Sequence, residues 1–304
     1  MRLPPFNPRI AIAIAAIAGA TTAIFVKLIG NPFAPSIIAT YRLLGAVLIM
    51  LPIILYKFKH EFSYFTKRDW LMLILSGCFL AGYFSSWFHA LQYTSVLNTV
   101  FILMIYPAVI FVGNAIFSRE RLSFGALISI GIIIFGTWML LNSDINRLTH
   151  LRHGDLLTIV ALFLFAGHYW TGQKSRRKVS LITYLFTVYG VATTGLIFMN
   201  LFIHSDGFLV HLGTIEWLSL IGLAIIPTFL GVFVFNWVIK WARPITVSIG
   251  MLLEPIIATI LAYVILGEVI TVSQWIGVTV LFFGLYLFIM STSKKRTVTI
   301  SKKE

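Results

Sequence analysis

Acidic residues and cysteine are what this chain has least of. Ten Asp and Glu residues are spread over 304 positions, and charged residues of both signs make up 11%. Soluble domains carry about 25%, so too little polar material is left here to coat a water-facing surface, which excludes a soluble globular protein. The single cysteine, Cys78, excludes a disulfide within the chain. No Gly-rich phosphate loop of the P-loop type occurs, so direct ATP drive has no support. Intramembrane proteolysis lacks its motifs as well. The His60-Glu61 pair has no second His four residues on, only Glu254 lies deep where an aspartyl protease needs two acids, and no convincing Gly-x-Ser stands beside a helical His. The expectation is a non-enzyme with no cofactor and no metal site.

What the chain has in quantity is apolar: 59% hydrophobic residues and a mean hydropathy of +0.95. Crossing about 30 Å of hydrocarbon takes about 20 residues of helix. Windows of that length fall near 8–29, 34–56, 70–90, 95–117, 122–141, 154–173, 180–203, 213–239, 244–266 and 271–291. Ten transmembrane helices are therefore predicted, with no room for a soluble domain. The first run follows Arg2 and Arg9 and reads superficially as a signal peptide. It continues to Ile29 and nine comparable segments follow it, so it is expected to be a retained span.

The net charge of +13 sets topology. One set of connections holds Arg2, Arg9, Lys57, Lys59, Lys67, Arg68, Arg119, Arg121, Lys174, Arg176, Arg177, Lys178, Lys240, Arg243 and the basic tail; the opposite set holds Arg147 and Arg152. Cationic connections stay in the cytoplasm, so both termini are expected there, in a multi-pass protein of the cytoplasmic (inner) membrane. No basic patch is interleaved with aromatics as single-strand binding requires, and no nucleic-acid partner is expected. The partners expected are the lipid bilayer and a small molecule. Monomer or homo-oligomer stays open.

Shifted by 148 residues, the chain matches itself at Ala18-Gly19 on Ala166-Gly167, Pro107 on Pro255, Glu120 on Glu268, Ile128 on Ile276 and Phe135-Gly136 on Phe283-Gly284. Five spans per copy is an odd number, so the second copy is expected upside down. Inverted repeats are a transporter signature, because two related halves can rock about a site at the midplane. The expected organisation is a first repeat over 1–143, a second over 144–293 and a basic tail over 294–304.

The segments "ALQYTSVLNTVFILMIYPAVIFVGNAIFSRERLSFGALISIGIIIFG" and "IKWARPITVSIGMLLEPIIATILAYVILGEVITVSQWIGVTVLFFG" resemble the two repeats of the EamA family, within the drug/metabolite transporter superfamily. The shared pattern is a Pro in the fourth helix of each half, a Glu at its end and a Gly-punctuated fifth helix. "ATYRLLGAVLIMLP" is similar to the family's second helix, where an Arg is usual. The chain departs from the family near Gly19, where Thr21 and Thr22 stand and the frequent Trp is absent. The resemblance implies a basket of ten helices around a central cavity, lined mainly by helices 1, 3, 4, 6, 8 and 9. It also makes amino acids the leading substrate class.

Helical spacing shows which faces are polar. Gly82, Ser85, Ser86, His89, Gln92 and Tyr93 form one stripe in the third span, and Gly167, His168, Thr171, Gly172 and Ser175 another in the sixth. Such stripes face the bundle interior or let helices approach closely; cavity lining is favoured for the stripe that carries His and Gln. Glu254 is the eleventh residue of its 23-residue run, with Gly250 and Ala258 one turn either side and Pro255 after it. A charge there costs about 2.5–3.5 kcal/mol on the insertion scale. It could bind a substrate ammonium, carry a coupling proton or bond to a neighbouring helix. The candidate substrate-binding set is Glu254, Tyr106, Asn98, Ser86, His89, His168, Asn236 and Gly250, with Glu254 also the proton-coupling candidate. Pro107 and Pro255 are expected helix breaks or hinges. Arg42 is expected to pair with a carbonyl or to snorkel, with contact to substrate the lesser alternative. The expected function is a secondary transporter of a small metabolite, by alternating access with proton coupling or exchange open; a lipid, lipid-precursor or lipophilic-cation translocator is the alternative.

Overall fold

Proline and capping residues set where the helices start and stop. The computed structural model describes residues 7–30, 34–118, 123–141, 150–173, 175–203, 213–238 and 244–301. These form α1 (Pro8–Ile29), α2 (Pro35–Ile53), α3 (Lys67–Tyr93), α4 (Val96–Leu103), α5 (Tyr106–Ser118), α6 (Phe124–Leu141), α7 (His150–Gly172), α8 (Leu181–Ile203), α9 (Thr214–Ile225), α10 (Val234–Val238), α11 (Pro244–Leu266) and α12 (Val272–Ser301). No strand occurs among the described residues. Pro35 opens α2 at its first turn, where a missing N–H costs nothing. Thr66 and Asp69 cap α3 reciprocally, side chain to backbone in both directions. Ser95 accepts from Asn98 N to start α4. Gly30 and Gly267 follow α1 and α11 at φ 68°, the left-handed conformation that ends a helix.

Nine of the described segments are long and apolar enough to cross a membrane, and a shorter apolar stretch, Leu252–Leu266, lies within α11. Their outward side chains are apolar too: Phe124, Ile134, Phe135, Trp138, Phe202, Leu218, Val264 and Phe283 are all exposed. A surface of that kind in water would aggregate; in a bilayer it is solvated by lipid.

The helix interruptions differ from the expectation. α4 gives way to α5 through a turn at Met104-Ile105, immediately ahead of Tyr106-Pro107. Pro107 has no N–H to return to Leu103, and the ladder tightens there, with Ile105 N bonding Ile102 O at 3.2 Å. α11 runs on through Pro255 without a break. Of the two prolines expected at helix breaks, Pro107 thus stands beside an interruption and Pro255 lies inside an unbroken helix. A second irregular stretch, a π-helix over Ile226–Phe233, joins α9 to α10 and has Pro227 at its start.

Small residues set the closest helix contacts. α6 and α12 meet where Gly136 faces the backbone of Leu281, Gly277 faces the backbone of Leu140 and Gly284 faces Ile133; a Cβ on these glycines would lie 2.6, 2.8 and 2.9 Å from the partner atoms. As the number rises on one helix it falls on the other, so the two helices run antiparallel. The contact is also reciprocal at the 148-residue offset, since Gly136 against Leu281 and Gly284 against Ile133 are the same pair read from either side. Leu97, Phe101, Ala126, Ile133, Leu140, Val278, Leu281 and Leu285 form the core beside this seam. A larger core is built on α1, α2, α3 and α8, including Ile37, Leu43, Phe84, Phe88, Val188 and Tyr189.

Gly136→Val is expected to destabilise the protein by about 1–3 kcal/mol, the range for overpacking, read as a lower thermal midpoint in detergent. Gly131→Ala, on the same helix with nothing within 4 Å of a new Cβ, is expected to leave the midpoint unchanged. Equal midpoints for the two variants would contradict the seam.

Candidate functional site

Glu254 is half-buried on α11, and its carboxylate rests on α1 at Gly19. A Cβ built on Gly19 would lie 2.7 Å from Glu254 Oε1 and 3.1 Å from Oε2, so glycine is what lets the acid sit there. Gly231 of the π-helical stretch closes on the same spot from a third side; its Cβ would be 3.3 Å from Gly19 N. The sequence pointed to Gly250 and Ala258 as the source of room beside the acid. Gly250 instead faces Ile12, whose Cγ2 would be 2.0 Å from a Cβ, so it serves the α1–α11 approach.

Around this acid stand Arg42 from α2, Tyr83 from α3 and Tyr106 from α5, each within range of the Glu254 charge; Tyr189 from α8 lies within range of Arg42. Aromatic rings tie the wall together. Tyr83 stacks on Trp87 at 5.6 Å and meets Phe165 at 5.0 Å, and Phe165 meets Tyr106 at 5.4 Å. Arg42 differs from its expected role. It is 4% exposed, which rules out snorkelling, and its Nε and Nη1 are buried with no hydrogen-bond partner. Its guanidinium carbon lies 4.6 Å from the Phe84 ring centroid, a cation–π contact.

The remaining candidates fall elsewhere. His168 Nδ1 is 2.8 Å from Ser76 Oγ, joining α7 to α3, and Gly167 and Gly172 of the same stripe face Phe79, Tyr184 and Ser76. That stripe is an α3–α7 seam. His89 is tied within its own helix, Nδ1 to Ser85 O at 2.9 Å. Ser86 is half-buried on α3, three residues from Tyr83. The side chain of Asn236 lies outside the described residues, as does Glu120.

Asn98 belongs to a second polar cluster at the end of the bundle where α1 finishes. Its amide donates to Asp155 Oδ1 at 3.3 Å and receives from Gln274 Nε2 at 3.4 Å, while Thr94 Oγ1 donates to Asp155 Oδ1 at 2.9 Å. Beside it, Glu268 accepts from Val96 N at 2.9 Å and pairs with Lys27 Nζ at 3.6 Å; Lys27 also donates to Thr94 O at 3.2 Å. One carboxylate thus caps α4, holds the end of α1 and follows α11. A narrow cleft beneath it is lined by Ser95, Leu97, Thr259, Ala262, Glu268 and Gln274. At the opposite end, Asp69 takes Lys178 and Ser175, and Glu61 accepts from Ser180 N at 2.9 Å.

Two stretches of the chain, residues 9–142 and 152–290, match the family model described as EamA-like transporter family. The chain belongs to this family. It is a multi-pass membrane protein, and the family is one of transporters. An "Uncharacterized transporter YxxF" of Bacillus subtilis (strain 168) is 27% identical over 237 residues, covering 77% of this chain and 74% of that protein. An "Uncharacterized transporter" of Archaeoglobus fulgidus is 23% identical over 203 residues, 67% of this chain and 70% of the other. A solved structure described only as "Crystal structure of protein" shares the fold, with TM-score 0.64 over 92% of this chain and 95% of that one, at 16% identity.

The residues that spacing missed were Gly19, Gly231, Tyr83, Asp155 and Arg42 as a site member. Asp155 had a legible signal, an acid one residue inside a predicted span; the others are brought together only by tertiary packing.

Gly19→Ala is expected to push the Glu254 carboxylate aside, since the obstacle is the tip of a flexible side chain. The thermal midpoint should move by less than about 1 kcal/mol of stability, within the effect of a tolerated small change, while flux in proteoliposomes falls at least about tenfold. Wild-type flux in Gly19→Ala would show that the seat of the carboxylate does not matter.

Proposed function

We propose that this protein is a secondary transporter of a small metabolite, an amino acid or a related compound, in the cytoplasmic membrane. Two inverted five-helix halves, with α11 as the ninth of ten spans and both termini in the cytoplasm, alternate about Glu254. The observation that carries the reading is the seat of Glu254: a mid-span carboxylate resting on a glycine of α1, with Tyr83 and Tyr106 within range of its charge, in a chain of a transporter family. A carboxylate so placed suits an ammonium group, which it pairs by a charge-assisted hydrogen bond. The antiparallel, reciprocal α6–α12 seam supports the inversion.

On this topology the cluster of Lys27, Glu268, Val96, Asn98 and Asp155 is the outer closure. Its residues are only partly repeated at the 148-residue offset: Glu120 stands where Glu268 does, whereas Pro244, Ser175 and Ala242 stand for Val96, Lys27 and Thr94.

Two measurements test this. In proteoliposomes, Glu254→Gln is expected to abolish or uncouple flux while the purified variant keeps its thermal midpoint; unchanged flux and pH dependence in Glu254→Gln would end the reading. A panel of amino acids, nucleosides, polyamines and lipophilic cations identifies the class, because a ligand at 100 times its dissociation constant stabilises by about 2.7 kcal/mol. For the closure, Thr259→Cys in a Cys78→Ser background is expected to react with an externally added impermeant maleimide at least about tenfold faster when Glu268→Ala is also present, the effect of losing about 1.4 kcal/mol of closure. Equal rates would remove Glu268 from gating.

A further inference from the structure

Arg42 is a cation inside the bundle, two of whose nitrogens meet no hydrogen-bond acceptor among the described residues. Its side chain is 4% exposed, and two of its three nitrogens, Nε and Nη1, are buried without a hydrogen-bond partner. A guanidinium has five N–H donors in a rigid plane and stays protonated. Leaving such a group unpaired in the interior is among the most destabilising arrangements a side chain can adopt. The Phe84 and Phe88 ring centroids lie 4.6 and 6.0 Å from the guanidinium carbon, but neither ring offers an acceptor to its edge. The edge donors are the part left over.

What shares the space with that edge is the Glu254 site. Arg42 stands seven residues into α2, about 10 Å from the end of the bundle marked by Lys27, and Glu254 stands twelve residues before the end of α11, about 18 Å from it. Their backbone positions are thus offset by about 8 Å along the helices at 1.5 Å per residue, and each charge lies within the other's electrostatic range. No hydrogen bond or ion pair joins them among the described residues. An acid and a guanidinium that share a region without pairing suit a molecule that carries both an ammonium group and a carboxylate. Tyr83 lies within electrostatic range of both, and its contacts with Trp87 and Phe165 supply an apolar wall for the rest of the ligand.

We propose that Arg42 is the anion-binding half of the substrate site, taking the carboxylate of the transported molecule on its unpartnered edge while Glu254 takes the ammonium. The ligand class is a zwitterion with a free carboxylate. Bidentate geometry explains why arginine stands there: lysine would carry the charge without the fork. The inference rests on the transporter reading and adds to it a requirement that the reading itself does not make, since a transporter of amines or lipophilic cations needs only the acid.

The test uses two isosteric trios on purified, detergent-solubilised full-length protein: L-phenylalanine, 2-phenylethylamine and 3-phenylpropionate, then L-leucine, 3-methylbutylamine and 4-methylpentanoate. Affinity is read from concentration-dependent thermal stabilisation. In wild type, at least one amino acid is expected to bind at least about tenfold more tightly than its own amine, about 1.4 kcal/mol. Arg42→Lys should erase that preference while still binding the amine, and Glu254→Gln should keep the acid and lose the amine. Binding of the amine alone refolds the question of stability, because it shows that the variant has a formed site. Should an amine bind wild type as well as its parent amino acid, or Arg42→Lys keep full preference for the carboxylate, Arg42 is only a counter-charge for Glu254 and the proposal falls. If no carboxylate-bearing compound in either trio stabilises wild type, the proposal falls as well. The transporter reading is then judged separately by the flux of wild type against Glu254→Gln with the wider panel.

Discussion

A carboxylate held in the middle of an apolar bundle has to be kept from lipid, and the packing around Glu254 follows from that requirement. The acid needs a seat without a side chain, and Gly19 on α1 supplies it. For α1 to come that close, the helices around it have to be small at their contacts, which is why Gly231 closes on Gly19 and Gly250 on Ile12. Lipid tails are as apolar as leucine, so close van der Waals fit and buried polar contacts have to hold membrane helices together. Glycine at the crossing points therefore sets both the architecture and the position of the charge.

Much of the fold was legible in the sequence because bilayer thickness is a ruler. Runs of about 20 apolar residues register individually, and the described helices begin and end close to the predicted windows. Glu254 stood out for the same reason: a single acid in an apolar run is conspicuous. The π-helical stretch after Pro227 and the uninterrupted course of α11 through Pro255 were not legible. Whether a proline breaks a membrane helix depends on how its neighbours satisfy the freed carbonyl, which a single chain pattern does not contain.

The polar stripes show the same boundary. Spacing put His168 and Gly167 on one face correctly, yet it could not say whether that face meets a cavity or another helix; it meets α3, through Ser76 and Phe79. Asn98 is conspicuous as polar, but besides the nearby Thr94 its partners Asp155 and Gln274 come from two distant stretches of chain, α7 and α12. Sequence spacing leaves Arg42 free to pair with a carbonyl or to snorkel. Its burial against Phe84 and Phe88 depends on how α2 packs on α3.

The α6–α12 seam has a geometric consequence. At the 148-residue offset each of its sides reads onto the other, so on the proposed inversion of the two halves the seam maps onto itself. Glu254 on Gly19 has no such image, because the offset pairs Glu254 with Tyr106 and Gly19 with Gly167. In the proposed alternating cycle, a joint that is its own mirror image would stay shut, with no loosening of its glycines for either end to open. The last helix of each half would then work as a fixed axle, with the free energy of switching concentrated in the asymmetric contacts that surround it.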